Sequence, residues 1–440
     1  MTRPLVLTAV LVTALLCGEA RSQFTHSGLS GRFVYSLATF ADRLYAGTDD
    51  GVFTLRHALP DTVWQHVGLR GKRVRAVYPH STGPVSGYAV TAGIDPAAAD
   101  TTQPLVYCTF DSDTAWVPTD DGINRSEING IQSVDGFPSP LICGETFAGG
   151  YGKVYVRGLT GAWRLALDIG IGMTNVVRVS PVAATVWTGG ETGIFAPYVA
   201  RSDDRGTSWD VFSPWMGGDN ACNSLAMDPS DTAVVYAGME GAVIRTTDGG
   251  TTWESTGLEM TPYYMYALWL DGIGRRLYAG GSTNTGLPGF FVLDLAGGTW
   301  AEITPTFPFA GIRTMAVAPT AIPEQWVIYL GTVGEGVIRY VPPLTGVTDP
   351  PAPDGPALFQ NYPNPFNGST RVRFTVPMTA HVELAVYTLL AQRVATLVNG
   401  VLDRGTHTRI WDASAVASGV YVCRMTAAGS VRQQRMTYLR

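Results

Sequence analysis

The sequence predicts an all-β chain, a seven-bladed β-propeller followed by a small immunoglobulin-like β-sandwich. Three observations carry this. An apolar strand ending in glycine recurs seven times between residues 44 and 331. Tryptophans recur out of phase with it, and beyond a proline-rich stretch the pattern changes to short alternating strands. Composition agrees: only 15% of the 440 residues are charged, while Gly (51) and Pro (28) are abundant. Helical bundles and coiled coils need many charged helix formers, so both are excluded. The length fits two or three domains. A net charge of −6 argues against a dedicated nucleic-acid binder.

Residues 1–22 read as a signal peptide. Arg3 precedes an apolar run from Leu5 to Leu16, and Ala20 and Ser22 offer small residues at the cleavage point. Twelve apolar residues are too few to span a bilayer, and no other stretch is long enough. Leu16 stands before Cys17 where a lipid anchor needs a small residue. The expectation is export without an integral membrane segment. Cys108, Cys143, Cys222 and Cys423 then remain, far apart and without CxxC spacing. A Cys108–Cys143 bridge and isolated buried thiols are both open readings.

Residues 23–341 form the repeat region. Its glycine column runs Gly47, Gly93, Gly144, Gly189, Gly238, Gly280 and Gly331, each closing a segment such as Leu44-Tyr45-Ala46-Gly47 or Leu277-Tyr278-Ala279-Gly280. The mean interval of about 47 residues suits a four-strand blade. Trp64, Trp116, Trp163, Trp209, Trp253 and Trp300 make a second column with one member fewer. The missing member is supplied from the front of the chain. Phe24-Thr-His-Ser-Gly28-Leu29 reads like Trp64-Gln-His-Val-Gly68-Leu69, so the first mature strand should complete the last blade. Such closure hides sheet edges that would otherwise pair with other chains.

Two of these tryptophans sit in a sharper pattern. Ser202-x-Asp204-x-Gly206-x-Ser208-Trp209 and Thr246-x-Asp248-x-Gly250-x-Thr252-Trp253 resemble the Asp-box (BNR) repeats of sialidase-like propellers. The Asp carboxylate accepts turn N–H groups, the Gly takes a positive φ and the Trp packs between sheets. The resemblance implies a structural turn away from the binding face. Asp111–Trp116 and Asp294–Trp300 look like decayed copies.

Residues 342–357 hold a run of prolines and form a semi-rigid linker. Short strands follow at Arg371–Val376, His381–Tyr387, Arg393–Val398, His407–Trp411, Val420–Thr426 and Val431–Tyr438, which predict the sandwich over residues 358–440. Asn361-Tyr-Pro363-Asn364-Pro365-Phe366, with Gly419-Val-Tyr421 later, resembles type A C-terminal sorting domains of the type IX secretion system. Gly368, Cys423 and Gln433-Gln434 depart from that family's usual residues. The resemblance implies passage through the type IX translocon, action of its sorting peptidase, and a secreted or cell-surface product.

The search for chemistry gives little. Six histidines make no zinc spacing, and there is no GxSxG or Walker loop. An acid follows each glycine of the column except in the sixth repeat: Asp49, Asp95, Glu145, Glu191, Glu240 and Glu335. These are expected in the turns between second and third strands, at the end where the loops before Val34, Val74, Ile128, Val176, Ser224, Met265 and Ile312 form a binding face. Such a ring has the chemistry to hold a cation such as Ca²⁺ or a basic partner. Turns that favour solvated Asp and Glu give the same pattern. No metal or other cofactor is otherwise indicated. Sialidases need three arginines converging on a carboxylate. Arg75, Arg178 and Arg313 lie four, three and six residues before Pro79, Pro181 and Pro319, and this mixed parity predicts different strand faces. Xyloglucanase-type enzymes use two such propellers with a cleft between them, whereas this chain has one. The expected function is a ligand-binding or scaffold module for an extracellular glycan or protein rather than an enzyme. A glycan-degrading hydrolase is the alternative.

Overall fold

The computed structural model describes residues 24–57, 63–79, 87–91, 104–109, 115–124, 131–136, 145–158, 161–180, 183–214, 221–304, 309–320, 325–342, 356–359, 361, 364, 366–402, 405–427 and 429–439. Among them the chain is all-β, without a helix. Seven four-stranded antiparallel sheets lie within residues 24–340. In the first, Val34–Phe40, Arg43–Thr48, Gly51–Arg56 and Gln65–Gly68 pair in chain order. The next five repeat this meander. Their first strands are Val74–Pro79, Ser133–Gly136, Gly172–Val179, Cys222–Asp228 and Tyr263–Asp271. The seventh takes three strands from Ile312–Pro319, Trp326–Thr332 and Val337–Tyr340 and its fourth from Phe24–His26.

That fourth strand pairs Phe24 with Tyr340 and His26 with Ile338, and the Phe24 ring stacks on Tyr340 at 4.4 Å. Each first strand packs against the first strand of the next sheet, and Ile312–Pro319 packs against Val34–Phe40. Between sheets the packing is apolar. Leu44, Val74, Val186, Val235, Leu277 and Ile328 are fully buried, as is Trp187. The tryptophans add polar joints. Trp64 Nε1–H donates to Ser27 O at 2.5 Å, Trp116 to Val67 O at 3.1 Å, Trp163 to Thr119 O at 2.5 Å and Trp300 to Thr256 O at 3.0 Å. Each joins one sheet to the outer edge of the sheet before it. The Trp64 joint reaches the turn after the first described strand.

The glycine column needs correction in two sheets. Gly47, Gly189, Gly238, Gly280 and Gly331 do lie opposite Ser36, Val176, Ser224, Ala267 and Thr314. In the second sheet that place belongs to Val90, opposite Ala76, and in the third to Gly149, opposite Ser133. Gly93 and Gly144 lie outside the described residues. At Gly47 the absence of a Cβ lets the next sheet approach: a Cβ there would stand 2.8 Å from Val74 O. The misreading came from matching a four-residue pattern where two nearby matches competed.

The C-terminal part packs two sheets face to face. One contains Ala357–Leu358, Ser369–Val376 and Gly405–Asp412; the other contains Arg393–Leu402, Ala380–Thr388, Gly419–Ala427 and Ser430–Tyr438. Phe374, Val382, Leu384, Met425, Met436 and Trp411 fill the space between them. The six expected strands are all present and one to four residues longer at their ends.

Candidate functional site

Antiparallel meanders put the start of every first strand and the end of every second strand at one end of the sheets. At that end lies a cavity of about 410 Å³, walled by residues from all seven first strands or the residues just before them. The backbone explains its polarity. Six of the seven first strands carry a β-bulge, where one strand has an extra residue opposite its partner. The unpaired residues are Tyr35, Arg75, Asn175, Asn223, Tyr266 (with Met265) and Arg313. In the third sheet Gln132, just before the strand, takes the corresponding place and donates its N–H to Gly149 O at 2.8 Å. All of these except Met265 line the cavity.

Arg178 lines it too, one layer deeper. The expectation that Arg75, Arg178 and Arg313 point to different strand faces is therefore wrong. It assumed strict alternation, which a bulge breaks by placing two successive residues on one side. It also measured from prolines that hold no common strand position: Pro79 ends its strand four residues after the bulge, and Pro319 six after.

Aromatic rings hold two of the arginines. The Arg313 guanidinium lies 4.0 Å from the Tyr266 ring centroid, and that of Arg75 lies 5.1 Å from Tyr35. Phe33 stacks on Tyr35 at 4.2 Å and Tyr264 on Tyr266 at 6.0 Å. Arg178 donates to Val177 O at 2.9 Å. Asn175 Nδ2 donates to Asn223 Oδ1 at 3.2 Å. Burial first, and then the positive charges of Arg73 and Arg313, hold the Arg75 guanidinium below its ordinary pKa, against the opposing effect of Tyr35. Arg313 Nε and Asn223 Nδ2 are buried without a hydrogen-bond partner. Among the described residues no aspartate or glutamate lines the cavity. Beneath it, Asp135 accepts N–H bonds from Gly136 at 2.8 Å and Val179 at 3.3 Å. Burial pushes its carboxyl up, and Arg178 opposes that.

The acids predicted as a ring divide. Asp49, Glu191, Glu240 and Glu335 lie at the cavity end, in or beside the turns from second to third strands. These turns stand one strand outward from the cavity wall. Asp49 is 3.8 Å from Arg32 in an ion pair. Burial pushes the Glu191 carboxyl up. Glu145 is misplaced: it immediately precedes Thr146–Gly150, the second strand of its sheet, and so lies at the opposite end. There burial raises its pKa, while Arg205 and Arg164 lower it. The error follows from the glycine misread in that sheet. Asp95 lies outside the described residues. Among the described residues no three His, Cys, Asp or Glu side chains come together as a metal site.

The two Asp-Gly turns lie between third and fourth strands, at the end away from the cavity. Asp204 Oδ1 accepts the N–H groups of Thr207 at 3.0 Å and Ser208 at 2.8 Å, and Oδ2 accepts Ser208 Oγ–H at 2.6 Å. Ser202 Oγ–H donates to Asp204 at 2.9 Å. Gly206 takes φ +75° and donates its N–H to Ser202 Oγ at 2.7 Å. Thr246, Asp248, Gly250 and Thr252 repeat the set. Trp253 donates to Gly250 O at 3.0 Å, and Trp209 packs partly buried beside Phe147. Cys108, Cys222 and Cys423 are free and buried, while Cys143 lies outside the described residues.

In the sandwich, Asn361 donates to Thr370 Oγ1 at 2.9 Å, and Asn364 Oδ1 accepts the Thr437 N–H at 2.7 Å. Phe366 is buried against Trp411 and Tyr438. Gly419 pairs with Tyr438, and Tyr421 O–H donates to Ala417 O at 2.6 Å. The motif thus ties the first strand to the last. Pro363 and Pro365 lie outside the described residues. Arg373 donates to Ile273 O at 2.8 Å in a turn at the end of the sheets away from the cavity.

Residues 360–437 match the family described as secretion system C-terminal sorting domain. This segment is a type IX sorting domain, and it directs the chain to the cell surface or extracellular space through the type IX machinery. No helix among the described residues is long and apolar enough to cross a membrane. The chain is also similar to a xyloglucanase of Hypocrea jecorina, 29% identical over 137 residues, which are 31% of this chain and 16% of that enzyme. The fold is similar to that of an ancestral GH74 enzyme (TM-score 0.50, 13% identity), over 83% of this chain and 62% of that one. It is also similar to a chain of a mitotic checkpoint complex (TM-score 0.50, 8% identity), over 72% of this chain and 94% of that one. The chain thus spans less than two thirds of the xyloglucanase and of the GH74 enzyme.

Proposed function

We propose that the exported chain is a ligand-binding module, a closed seven-bladed propeller whose central cavity takes up an extracellular ligand. On this reading residues 1–22 are the signal peptide, 342–357 the linker and 358–440 an immunoglobulin-like carrier that the sorting peptidase removes or exchanges for a surface anchor. The packing of the last first strand on the first one, and the tryptophan joint back to Ser27, support closure. The two Asp-Gly turns act as Asp-boxes that stiffen the far end.

One observation carries the binding function. The cavity draws donors from all seven sheets, and among the described residues that line it there is no carboxylate. Glycoside hydrolysis generally uses two carboxyl groups, about 5–9.5 Å apart, across the bond that breaks. A cavity whose described wall offers hydrogen bonds without that pair supports retention without cleavage. Asp49, Glu191, Glu240 and Glu335 form an outer rim of the same face, and triple alanine substitution at Asp49, Glu191 and Glu240 tests its part in binding.

The second reading, a glycan hydrolase, rests on the likeness to the xyloglucanase. The full chain incubated with a panel of polysaccharides and glycoproteins separates the two. Retention without new reducing ends is the expected result. New reducing ends would make the hydrolase reading correct and the rim carboxylates the first catalytic suspects. A chain that retains nothing on the panel would end the glycan-binding reading.

A further inference from the structure

We infer that the end of the seven sheets away from the cavity is a seat for the chain's own sorting domain, and that Arg371 and Arg373 fasten the domain there until it is removed. The removal rests on the carrier reading above; the seat does not. Strand Ser369–Val376 alternates: Val372 and Phe374 lie in the sandwich core, so Arg371 and Arg373 share its outer face. Arginines on such a face normally stand in water, yet both are half-buried. Arg373 donates to Ile273 O at 2.8 Å and Arg371 to Thr320 O at 3.5 Å. The Arg371 guanidinium also lies 5.8 Å from the Trp326 ring centroid, and the Phe359 ring, 5.1 Å away, holds that of Arg373 from the sandwich side. Ile273 and Thr320 lie in the turns from first to second strands of the sixth and seventh sheets. The two arginines thus reach two adjacent sheets at once.

Comparison between sheets shows that the seat is made for a cation. Asp228 ends the first strand of the fifth sheet, and Asp271 ends that of the sixth at the same place. Both are buried. Asp228 is answered by the next sheet, where Arg275 Nη1 lies 2.9 Å from its Oδ2. For Asp271 the next sheet offers no such group, because its turn, residues 320–325, contains neither arginine nor lysine. Arg373 of the sorting domain takes that part, beside Arg276 from the same sheet as Asp271. Burial pushes the Asp271 carboxyl up, and the N–H groups of Gly274 and Ile273, then the charges of Arg276 and Arg373, oppose it. The seat also fixes which side of the domain stays free. The first sandwich sheet meets it, so the second lies beyond the core, with Leu389 and Leu390 exposed at a hairpin tip, and is left for the type IX machinery. The cavity lies at the other end, so a ligand can enter before the domain is removed.

Small-angle X-ray scattering of the full chain tests the inference. The unaltered chain should scatter as one compact particle. Arg371→Gln with Arg373→Gln leaves Val372 and Phe374 in the core, so the sandwich should stay folded while it swings out on its linker. Residues 342–357, at roughly 3.1 Å each when extended, reach about 50 Å, so the maximum dimension should grow by roughly 10–50 Å. Asp271→Asn should lengthen the particle in part, because it removes the charge that Arg373 answers. Asp228→Asn should lower Tm without lengthening it, because its partner Arg275 belongs to the sheets themselves. That control separates a seat from a general loss of stability. An unaltered chain already as long as the double variant would overturn the inference. So would a double variant as compact as the unaltered chain. If the double variant fails to fold, Asp271→Asn against Asp228→Asn still decides, and equal dimensions in those two would overturn the seat. Retention on the polysaccharide panel should be the same in every folded variant, since the cavity lies at the other end.

Discussion

The outer joints and the inner bulges belong to the same seven sheets, but they use the repeat in opposite ways. At the joints the repeat keeps the residue: Trp64, Trp116, Trp163 and Trp300 each donate to a carbonyl at the outer edge of the preceding sheet. At the bulges it keeps the backbone and changes the residue, so that tyrosine, arginine and asparagine occupy one structural place. A repeated side chain marks what the fold needs. A repeated backbone irregularity with varied side chains leaves room for a site.

Substitutions can break or sharpen this contrast. The largest effect should come from the apolar packing between sheets. Trp187 is fully buried among Val199, Leu225 and Ile244. Trp187→Ala should cost about 3–5 kcal/mol, read by urea unfolding. Trp64→Phe removes one joint while keeping most of the ring's volume. It should cost about 1 kcal/mol, and a loss as small at Trp116→Phe would show the closing joint to be equivalent to the others.

The bulge arginines should matter less to stability. Arg75→Gln with Arg313→Gln gives up two contacts on tyrosine rings, each about 0.5–2 kcal/mol depending on exposure, and relieves both the burial of the charges and their mutual repulsion. The expected change in urea midpoint is smaller than that of Trp64→Phe. A larger change would mean that these residues serve the scaffold.

The Asp-Gly turns predict a dependence on pH. Hydrogen bonds from the Ser208 hydroxyl and N–H, then from Ser202 and Thr207, hold the Asp204 carboxyl down to about 2. The folded chain therefore binds this proton less readily than the unfolded one. The contribution is whole above the ordinary carboxylate pKa and is lost as pH falls toward about 2. Asp204→Asn should lower Tm at neutral pH, and its gap from the unaltered chain should close in acid. The smallest effect is expected at the thiols. Burial pushes Cys222 and Cys423 up to about 12, so alkylation should be slow in the native chain and fast in denaturant.

The same contrast explains what the sequence could reveal. The tryptophan column, the first strand's likeness to residues 64–69 and the Asp-Gly turns were legible because each repeats a residue type at a sheet's spacing. The sorting motif was legible for a different reason: Asn361, Asn364 and Phe366 each answer a specific partner in the sandwich. The cavity was not legible. Its residues differ between sheets, and a bulge leaves no mark in a pattern read two residues at a time. The signal that could have found it is position rather than identity. Tyr35, Arg75 and Arg313 are each the second residue of a first strand, so aligning strands by their starts would have grouped them.

Thermal unfolding of the unaltered chain and of the Arg75→Gln, Arg313→Gln variant, each with and without a saturating amount of the glycan retained in the panel, tests the central claim most directly. The account predicts nearly equal Tm values without ligand and a ligand-dependent rise in the unaltered chain alone, since a ligand stabilises only the state that binds it. A variant that melts well below the unaltered chain without ligand, with no ligand-dependent rise in either, would contradict it and return the arginines to the scaffold.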